Sequence, residues 1–359
     1  MSSKQSNDKK LYTIVDVFFI SHKIYRFEPR ITSLAKICES EYFEQTMDAP
    51  ASIYDLAVAW TWKFDIEFVR LLETAALDSS LRVLLIDPLT VGKVFEEVRN
   101  RSLYFRFFLD RASDEDENFQ PLARLIQRRV REPEHPIAIR PFNPLDLVAL
   151  ASDKATMHLE FLSHRMNVPY TIIITPYNHK KEVELSLSEL SRLGRPFIIK
   201  PANTTGGGLG VVMGAETLKD VIEARQHHRN DKYLLQETIR PAFIGVRRAW
   251  FRLFYAFGEI LLCWWDDQTH LYELLDPRDE SSDGLQELRE LVNQVHDICR
   301  LDFFSTEFVL TAEKKVIAVD YVNEMCDMRL QSNYPDGVPD EVVRRIIESL
   351  IRLIKTNHS

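Results

Sequence analysis

The sequence predicts a mixed protein in which an N-terminal α/β region with a parallel sheet precedes an α+β region of paired strands. Over residues 1–145, strand-like and helix-like patterns alternate, and this alternation is typical of a parallel sheet covered by helices. After residue 146, β-branched and aromatic runs occur in adjacent pairs with short turns between them. Such pairs indicate antiparallel hairpins.

Short apolar runs and apolar residues at helical spacing define the N-terminal elements. Strand patterns cover residues 13–20, 82–86 and 103–109, and helical patterns cover 64–76 and 90–100. The segment Arg-Pro-Phe-Asn-Pro at 140–144 contains two prolines within five residues, and this pattern predicts a linker between domains.

The same patterns define the elements after this linker. The first group is a helix over 146–164, a strand over 170–175, a helix over 187–193 closed by Gly194, strands over 197–200 and 210–213, a helix over 217–227 and a strand over 233–236. The second group begins with strands over 250–257 and 259–265 that turn at Gly258, followed by an amphipathic helix over 283–300. Strands over 304–311 and 315–322 and a closing helix from Pro339 complete it.

Composition and charge narrow the class of protein. A chain of 359 residues is long enough for two or three domains. Its 45% hydrophobic and 28% charged residues are ordinary for a globular protein, and a net charge of −9 does not favour a nucleic-acid partner. The basic run Arg128, Arg129 and Arg131 is interpreted as the solvated end of a helix, with a docking patch as the alternative.

The cysteines and the N-terminus indicate the compartment. The apolar run at 11–20 contains Asp16 and lacks a small-residue cleavage site, so a buried strand is favoured over a secretion signal. No run approaches the roughly 20 apolar residues of a membrane span. The four cysteines form no Cys-x-x-Cys pair, which fits a reducing compartment. We therefore expect a cytoplasmic protein with no membrane partner.

A glycine-rich loop is the first candidate for ligand binding. Gly206, Gly207, Gly208 and Gly210 leave the backbone free to approach a phosphate and to direct N–H groups at it. No Gly-Lys-Ser/Thr follows, and Val211 stands where a dinucleotide fingerprint needs its last glycine. Because strand patterns flank the loop, we interpret it as a hairpin tip that could close over a nucleotide, with a ligand-free flexible turn as the alternative.

Lys200 strengthens the phosphate interpretation. In the strand before the loop, alternation places Lys200 and Ile198 on one face and Phe197 and Ile199 on the other. A lysine on an otherwise apolar strand is either exposed or paired with an anion. Phosphate is the anion that the neighbouring glycine loop also suits.

These features together resemble the ATP-grasp superfamily, which includes glutathione synthetase, D-alanine–D-alanine ligase and the enzymes that add glutamate to protein tails. The motif resemblance covers residues 146–328 and extends more loosely toward the N-terminus. It implies a parallel α/β pre-ATP-grasp domain at 1–145. A two-lobed ATP-grasp domain would follow, with a small lobe and glycine lid at 146–235 and a C-terminal lobe with the metal site at 236–359.

The resemblance also implies which residues hold the nucleotide. Lys154, after Asp153, and Lys200 would contact phosphates, the four glycines would form the lid, and the segment after Tyr233 would be the hinge that reads adenine. The implied nucleotide-binding set is Lys154, Lys200, Gly206, Gly207, Gly208, Gly210, Gln236, Glu237 and Ile239. A surface lysine is the alternative for Lys154, and an ordinary strand end is the alternative for the hinge.

The last two strands carry the implied metal ligands, Glu307, Asp320 and Asn323. Carboxylate and amide oxygens suit Mg²⁺, with Mn²⁺ as an alternative. The spacing is Asp-x-x-Asn where the family often has Glu-x-Asn. Strand alternation therefore separates Asp320 from Asn323 unless the chain bends or bulges between them.

The implied activity is ATP- and Mg²⁺-dependent ligation of a carboxylate to an amine or thiol through an acyl phosphate, with Arg252 and Lys200 as catalytic residues. The expected substrates are small carboxylates and amines, or a peptide or protein tail, and a homodimer is left open. The alternatives are an ATP-grasp kinase acting on a small alcohol or inositol phosphate, favoured by the cluster Arg247, Arg248 and Arg252, and a nucleotide-binding protein without catalysis.

Four further positions bear on the expected site. Arg329 follows the metal strand and would bind a substrate carboxylate, and Arg111, at the end of a predicted strand, is a second substrate contact. Cys326 is interpreted as a core residue, with a place in the acceptor site as the alternative. Trp250 occupies a position that is often acidic in similar ligases, which leaves the ribose-binding acid unassigned.

Overall fold

A four-stranded parallel sheet forms the N-terminal part of the structure, a computed structural model that describes residues 52–132, 137–203, 208–280 and 285–357. Its strands are β1 (Ser52–Trp60), β2 (Val83–Ile86), β3 (Leu103–Arg111) and β4 (Arg140–Phe142), in the order β2-β1-β3-β4. The predicted strand at 13–20 lies outside the described residues.

Three helices connect these strands: α1 (Ile66–Asp78), α2 (Val91–Arg99) and α3 (Gln120–Val130). Helix α3 ends on the predicted basic run, where Arg131 forms its C-terminal cap. Each helix turns apolar residues toward a sheet face, so the parallel α/β arrangement expected from the sequence is confirmed.

Two predictions need correction in this region. The central strand β1 was not predicted, because its alanines and Asp55 are weak strand formers. It is a strand because it pairs with neighbours on both sides. The segment at 140–144 is not a linker: residues 140–142 pair with β3 as an edge strand. Proline is tolerated at a sheet edge because no further strand needs its missing N–H. The three-domain division remains a prediction.

A second, antiparallel sheet follows. Its strands are β5 (Thr171–Ile174), β6 (Phe197–Pro201), β7 (Val212–Ala215) and β8 (Tyr233–Glu237), in the order β5-β8-β6-β7. Its helices are α4 (Leu145–Ala151), α5 (Lys154–Ser163), α6 (Leu187–Leu193) and α7 (Leu218–Ala224). The single helix predicted over 146–164 is two helices, because the Asp153 side chain accepts hydrogen bonds from two backbone N–H groups and starts a new helix at Lys154.

A five-stranded antiparallel sheet completes the fold. It contains β11 (Trp250–Ala256), β12 (Glu259–Trp265), β13 (Tyr272–Leu274), β14 (Phe303–Leu310) and β15 (Val316–Asn323), in the order β13-β12-β11-β14-β15. A small hairpin of β9 (Phe243–Ile244) and β10 (Arg247–Arg248) precedes it.

Helices cover both faces of the five-stranded sheet. α8 (Pro277–Glu280) is short, α9 (Leu288–Cys299) packs with Phe251 and Leu253, and α10 (Asp340–Thr356) packs with Phe254 and Leu261. Because α1 also contacts α10, the N-terminal layer and this sheet share one core. No helix in the described part of the chain has the length and apolar character that crossing a bilayer requires.

Candidate active site

Two carboxylates lie opposite each other on the last two strands. Glu307 of β14 and Asp320 of β15 are paired residues of the antiparallel ladder, so their side chains share one face of the sheet. Trp250 and Arg252 on the neighbouring strand β11 present their side chains to the same face, since Arg252 is the ladder partner of Glu307. The sheet therefore gathers the predicted metal ligands and the predicted catalytic arginine in one place.

Strand β15 is bulged on both sides of Asp320. From Ser305 to Glu307 the ladder advances two residues on β14 but three on β15, from Asn323 to Asp320. Because Asn323 is paired with Ser305, and Ser305 and Glu307 alternate onto one face, the bulge returns Asn323 to the face of Asp320. The Asp-x-x-Asn spacing thus places all three oxygen-bearing side chains together.

A second irregularity, between Glu307 and Phe308, leaves Val319 outside the regular ladder. Its carbonyl oxygen accepts a hydrogen bond from the Lys200 Nζ at 3.0 Å. Burial lowers the pKa of Lys200, and Asp320 offsets part of that effect. Lys200 therefore points away from solvent. It reaches from the four-stranded antiparallel sheet to β15, the strand that carries Asp320 and Asn323.

Lys154 contacts the same strand from a helix. Its backbone N–H donates to the Ala202 carbonyl, and its Nζ lies 2.6 Å from Asp320 Oδ1. The side chain is 11% exposed, so the surface-lysine alternative is wrong. The preceding Asp153 caps the helix and pairs with Lys232, which fixes the start of α5.

Arg252 and Trp250 engage the two oxygens of Glu307 separately. Arg252 Nη1 lies 3.1 Å from Oε1, and the indole Nε1 of Trp250 donates to Oε2 at 3.0 Å. The guanidinium of Arg252 also lies over the Trp265 ring, 5.4 Å from its centroid. In the sequence, Trp250 is distinguished only by standing where similar ligases often have an acidic residue. Its hydrogen bond joins two strands and therefore leaves no local pattern.

The charges of this cluster are unequal. Three cations, Lys154, Lys200 and Arg252, face two carboxylates, which leaves one excess positive charge. Burial alone would raise the pKa of Asp320, but Lys154 and Lys200 lower it to about 2. Burial raises the pKa of Glu307 although Arg252 opposes the shift. A partly buried site with an excess of positive charge favours an anionic ligand such as a phosphate.

The carboxylate pair does not by itself require a metal ion. Two facing carboxylates on a buried sheet repel each other unless a cation is near, and the chain supplies its own cations in Lys154 and Arg252. Among the described residues there is no group of three or more Asp, Glu, His or Cys side chains suited to a metal. Two carboxylates and an amide nevertheless match the way proteins bind Mg²⁺, which takes its remaining ligands from water and substrate phosphates.

A third carboxyl group adjoins the cluster. Glu324 follows Asn323, and burial raises its pKa to about 7, with Asp114 adding to the shift. No sequence pattern distinguishes Glu324, because only the folded chain removes it from water.

The predicted hinge residues form a buried polar network. Gln236 Nε2 donates to the Tyr321 hydroxyl at 3.1 Å, and the same hydroxyl lies 2.6 Å from His158 Nδ1. The Glu237 carboxylate accepts from the Tyr170 backbone N–H at 2.6 Å. Tyr321 adjoins Asp320, so the network connects strand β8 and helix α5 to strand β15. Ile239 lies just beyond the end of β8.

The glycine loop has the predicted hairpin flanks, since β6 and β7 pair in antiparallel fashion. Gly206 and Gly207 lie outside the described residues. Gly208 and Gly210 have φ angles of 78° and 74°, which favour glycine. A side chain at Gly210 would also meet Pro201 and His228, at 3.0 and 3.1 Å from an added Cβ.

The two predicted substrate arginines have protein partners. Arg111, 2% exposed, donates to both oxygens of Asp65 at 2.7 Å and to the Cys326 carbonyl at 2.9 Å. It therefore joins the N-terminal layer to the segment after β15. Arg329 pairs with Asp327 and Asp336 at 2.7 and 3.0 Å. Among the described residues, no contact joins either guanidinium to the cluster around Glu307.

The arginine cluster that motivated the kinase alternative is also paired. Arg247 contacts Glu273 at 2.7 Å, and Arg248 donates to both oxygens of Asp267 at 2.7 and 2.9 Å. These ion pairs account for both side chains without a phosphorylated substrate.

Cys326 is fully buried, and burial raises the pKa of its thiol to about 12. The interpretation of Cys326 as a core residue is confirmed.

The arrangement of layers is similar to that of several solved ligases. A D-alanine–D-alanine ligase from Bacillus anthracis complexed with ATP matches with a TM-score of 0.58 at 13% identity, over 85% of this chain and 98% of that chain. The ATP-grasp ligase PsnB, complexed with a minimal precursor, Mg and ADP, matches at 0.57 and 11%, over 84% and 98%. The macrocyclase MdnC from Microcystis aeruginosa, bound with the precursor peptide MdnA, matches at 0.54 and 13%, over 83% and 99%.

No family model and no curated protein matches the sequence. At identities this low the likeness shows the fold, and that fold is the mixed architecture expected from the sequence: a parallel sheet followed by two antiparallel sheets.

Proposed function

We propose that this chain, which has the ATP-grasp fold, is an ATP- and Mg²⁺-dependent ligase that joins a carboxylate to an amine or thiol. One observation carries the proposal: Lys154 and Lys200, from a helix and a sheet of the small lobe, both reach β15 beside Asp320. Two lysines converging on a carboxylate pair at the junction of two lobes suit Mg-ATP, whose phosphates need cations and whose metal needs oxygen ligands.

Glu307, Asp320 and Asn323 would hold Mg²⁺, with Mn²⁺ as an alternative ion. The fit rests on their common face and on the donor chemistry of two carboxylates and an amide. When bound, the ion supplies charge neutralisation at the phosphates. Because Lys154 and Arg252 pair with the same carboxylates in this structure, we propose that both cations turn toward phosphate oxygens and free carboxylate lone pairs for the ion.

The nucleotide would lie between the two antiparallel sheets. Lys154 and Lys200 would hold its phosphates, while Gly208 and Gly210 with the adjoining Gly206 and Gly207 would cover them. Backbone groups near Glu237 and Ile239 would read the adenine edge. The Glu237 and Gln236 side chains already have protein partners, which supports recognition through the backbone.

In the proposed reaction, a substrate carboxylate oxygen attacks the γ-phosphorus and ADP leaves. The amine or thiol then attacks the acyl carbon and phosphate leaves. Arg252 would balance the charge that develops on the transferred phosphoryl group. The glycine lid would exclude water, which otherwise hydrolyses the acyl phosphate.

The proposed substrates are small carboxylates and amines or a peptide tail. Solved proteins of this fold include one named as a D-alanine–D-alanine ligase, one determined with a precursor peptide and one with a minimal precursor. Cys263, Cys299 and Cys326 are free and buried, which supports a cytoplasmic location for the enzyme.

Product analysis tests the proposal. The protein is incubated with ATP, Mg²⁺ and pools of metabolites or peptides, and mass spectrometry is used to find products lighter by one water than the sum of two reactants. We expect such products together with ADP and phosphate. Glu307→Gln should remove them, whereas Glu313→Gln, at the exposed β14–β15 turn, should not. A stable phosphate ester as the product would instead make the protein a kinase.

A further inference from the structure

We infer that Trp250 is a positioning residue for the metal ligand Glu307, holding its carboxylate in the orientation that receives Mg²⁺. The inference rests on the proposed metal site and assigns a role to a residue that has none in the proposed reaction. It starts from the one hydrogen bond between this indole and the site, Trp250 Nε1 to Glu307 Oε2 at 3.0 Å.

The pairing of β11 with β14 brings Trp250 and Glu307 together. Trp250 and Arg252 alternate onto the same face of β11, and Arg252 is the ladder partner of Glu307 on β14. The two side chains divide the carboxylate between them: Arg252 Nη1 is 3.1 Å from Oε1, and the indole is at Oε2. Rotation of the carboxylate would break one contact or the other, so its plane is set before any ion arrives.

The chemistry of the indole suits this role. It donates one hydrogen bond, accepts none and carries no charge. It therefore orients Glu307 without adding a cation that would repel Mg²⁺, and a carboxylate oxygen that accepts one hydrogen bond keeps a further lone pair for the ion. An acidic side chain at this position would instead face two carboxylates across the strands and repel them.

Partners of this kind commonly change metal affinity by about 10- to 100-fold. We therefore expect Trp250→Phe, which keeps an aromatic ring but removes the N–H, to raise the half-saturating Mg²⁺ concentration for nucleotide binding by about 10-fold. Nucleotide binding without Mg²⁺ should not change, because Lys154 and Lys200 do not contact Trp250 in the described structure.

Two variants make the experiment specific. Trp264→Phe is the matched control: Trp264 lies on β12 opposite Phe251, on the other face of the sheet, and its indole nitrogen has no hydrogen-bond partner among the residues that the structure describes. Trp250→His is the rescue, because Nε2 of a histidine occupies the same place in its five-membered ring as Nε1 of a tryptophan. At about pH 8 the imidazole is neutral and can donate.

Calorimetric titration of ADP at a series of Mg²⁺ concentrations measures these effects, and a thermal unfolding curve for each variant establishes that it is folded. A second readout is tryptophan fluorescence: Mg-ADP should change the emission of wild type and Trp264→Phe, and the change should be smaller in Trp250→Phe. The expected order of half-saturating Mg²⁺ is wild type and Trp264→Phe lowest, Trp250→His intermediate, Trp250→Phe highest.

Equal Mg²⁺ dependence in wild type and Trp250→Phe would overturn the inference and leave the proposed function intact. So would a Trp250→His variant as weak as Trp250→Phe, because the ring shape and not the N–H would then matter. If Trp250→Phe does not fold, Trp250→His decides at about pH 8: the inference predicts a half-saturating Mg²⁺ concentration close to that of wild type, and one raised about 10-fold would overturn it. Wild-type protein without any Mg²⁺-dependent nucleotide binding would instead contradict the proposed function.

Discussion

Individual side chains in the candidate site hold one another in place across long stretches of sequence. Lys154 is 166 residues from Asp320, and Lys200 is 119 residues from Val319. Lys154 from α5 and Lys200 from β6 both reach β15 and are largely removed from solvent. A buried lysine keeps its charge only with partners, and here the partners are a carboxylate and a carbonyl that a bulge has released from the ladder.

His158 provides a pH-dependent test of the buried network. Burial lowers its pKa from 6.5 to about 4. The unfolded chain therefore takes up a proton as the pH falls below about 6.5, while the folded chain resists until about 4, so stability decreases over that window. We expect a loss of up to about 3 kcal/mol between these pH values from this residue.

Urea unfolding at about pH 7.5 and about pH 4.5 measures that loss. His158→Gln should flatten the pH dependence, and His164→Gln, whose side chain is exposed, should reproduce the wild-type dependence. A variant at 158 with the wild-type slope would show that other groups cause the acid sensitivity.

At the scale of elements, the β6–β7 hairpin offers a paired test of the lid. Gly210 and Gly214 have φ angles of 74° and 75°, so alanine at either position should cost roughly 1–2 kcal/mol of stability. Only at Gly210 would the added Cβ also meet Pro201 and His228, whereas nothing lies within 4 Å of a Cβ at Gly214.

Gly210→Ala should therefore weaken Mg-ADP binding by more than Gly214→Ala, because it also displaces the hairpin next to the proposed phosphate site. Calorimetric titration of Mg-ADP gives the comparison, and unfolding curves give the shared stability loss. Equal affinities in the two variants would argue against a lid that closes with Gly210 against Pro201.

Strand β15 shows what the sequence could and could not predict about the site. The apolar run at 315–322 predicts a strand, and Glu307 and Asp320 stand out as acids within such runs. The two bulges that bring Asn323 and the Val319 carbonyl into the site depend on the register with β14, which no local pattern records. The sequence did not predict the contact of Trp250 for the same reason, since its indole donates to Glu307, a residue 57 positions away on another strand.

At the scale of the whole molecule, strongly patterned segments were predictable and context-dependent ones were not. Strand β12 and helix α6 have the predicted bounds, because alternation and capping are local signals. Strand β1 and the edge strand at 140–142 are strands through their neighbours, and the predicted linker at 140–144 was wrong for that reason. The substrate roles predicted for Arg111 and Arg329 overlooked the aspartates that folding brings to them.

The layered architecture explains how the site can exist at all. α9 and α10 cover opposite faces of the five-stranded sheet, and α10 packs in turn against α1. This core supports the sheet face on which Trp250, Arg252, Glu307 and Asp320 meet, while α5 and β6 contribute the lysines. A nucleotide bound there would contact both antiparallel sheets.

The most direct test of the account is therefore calorimetric titration of Mg-ATP into the wild-type protein, Lys200→Met and Lys219→Met. Lys219 is the matched control, since it lies on α7, directly after the β6–β7 hairpin, with 80% of its side chain exposed. Loss of a charged hydrogen bond should weaken binding by about 10- to 100-fold in Lys200→Met, with Lys219→Met unchanged. Equal affinity in Lys200→Met and wild type, or no nucleotide binding by the wild type, would contradict the assignment of this site.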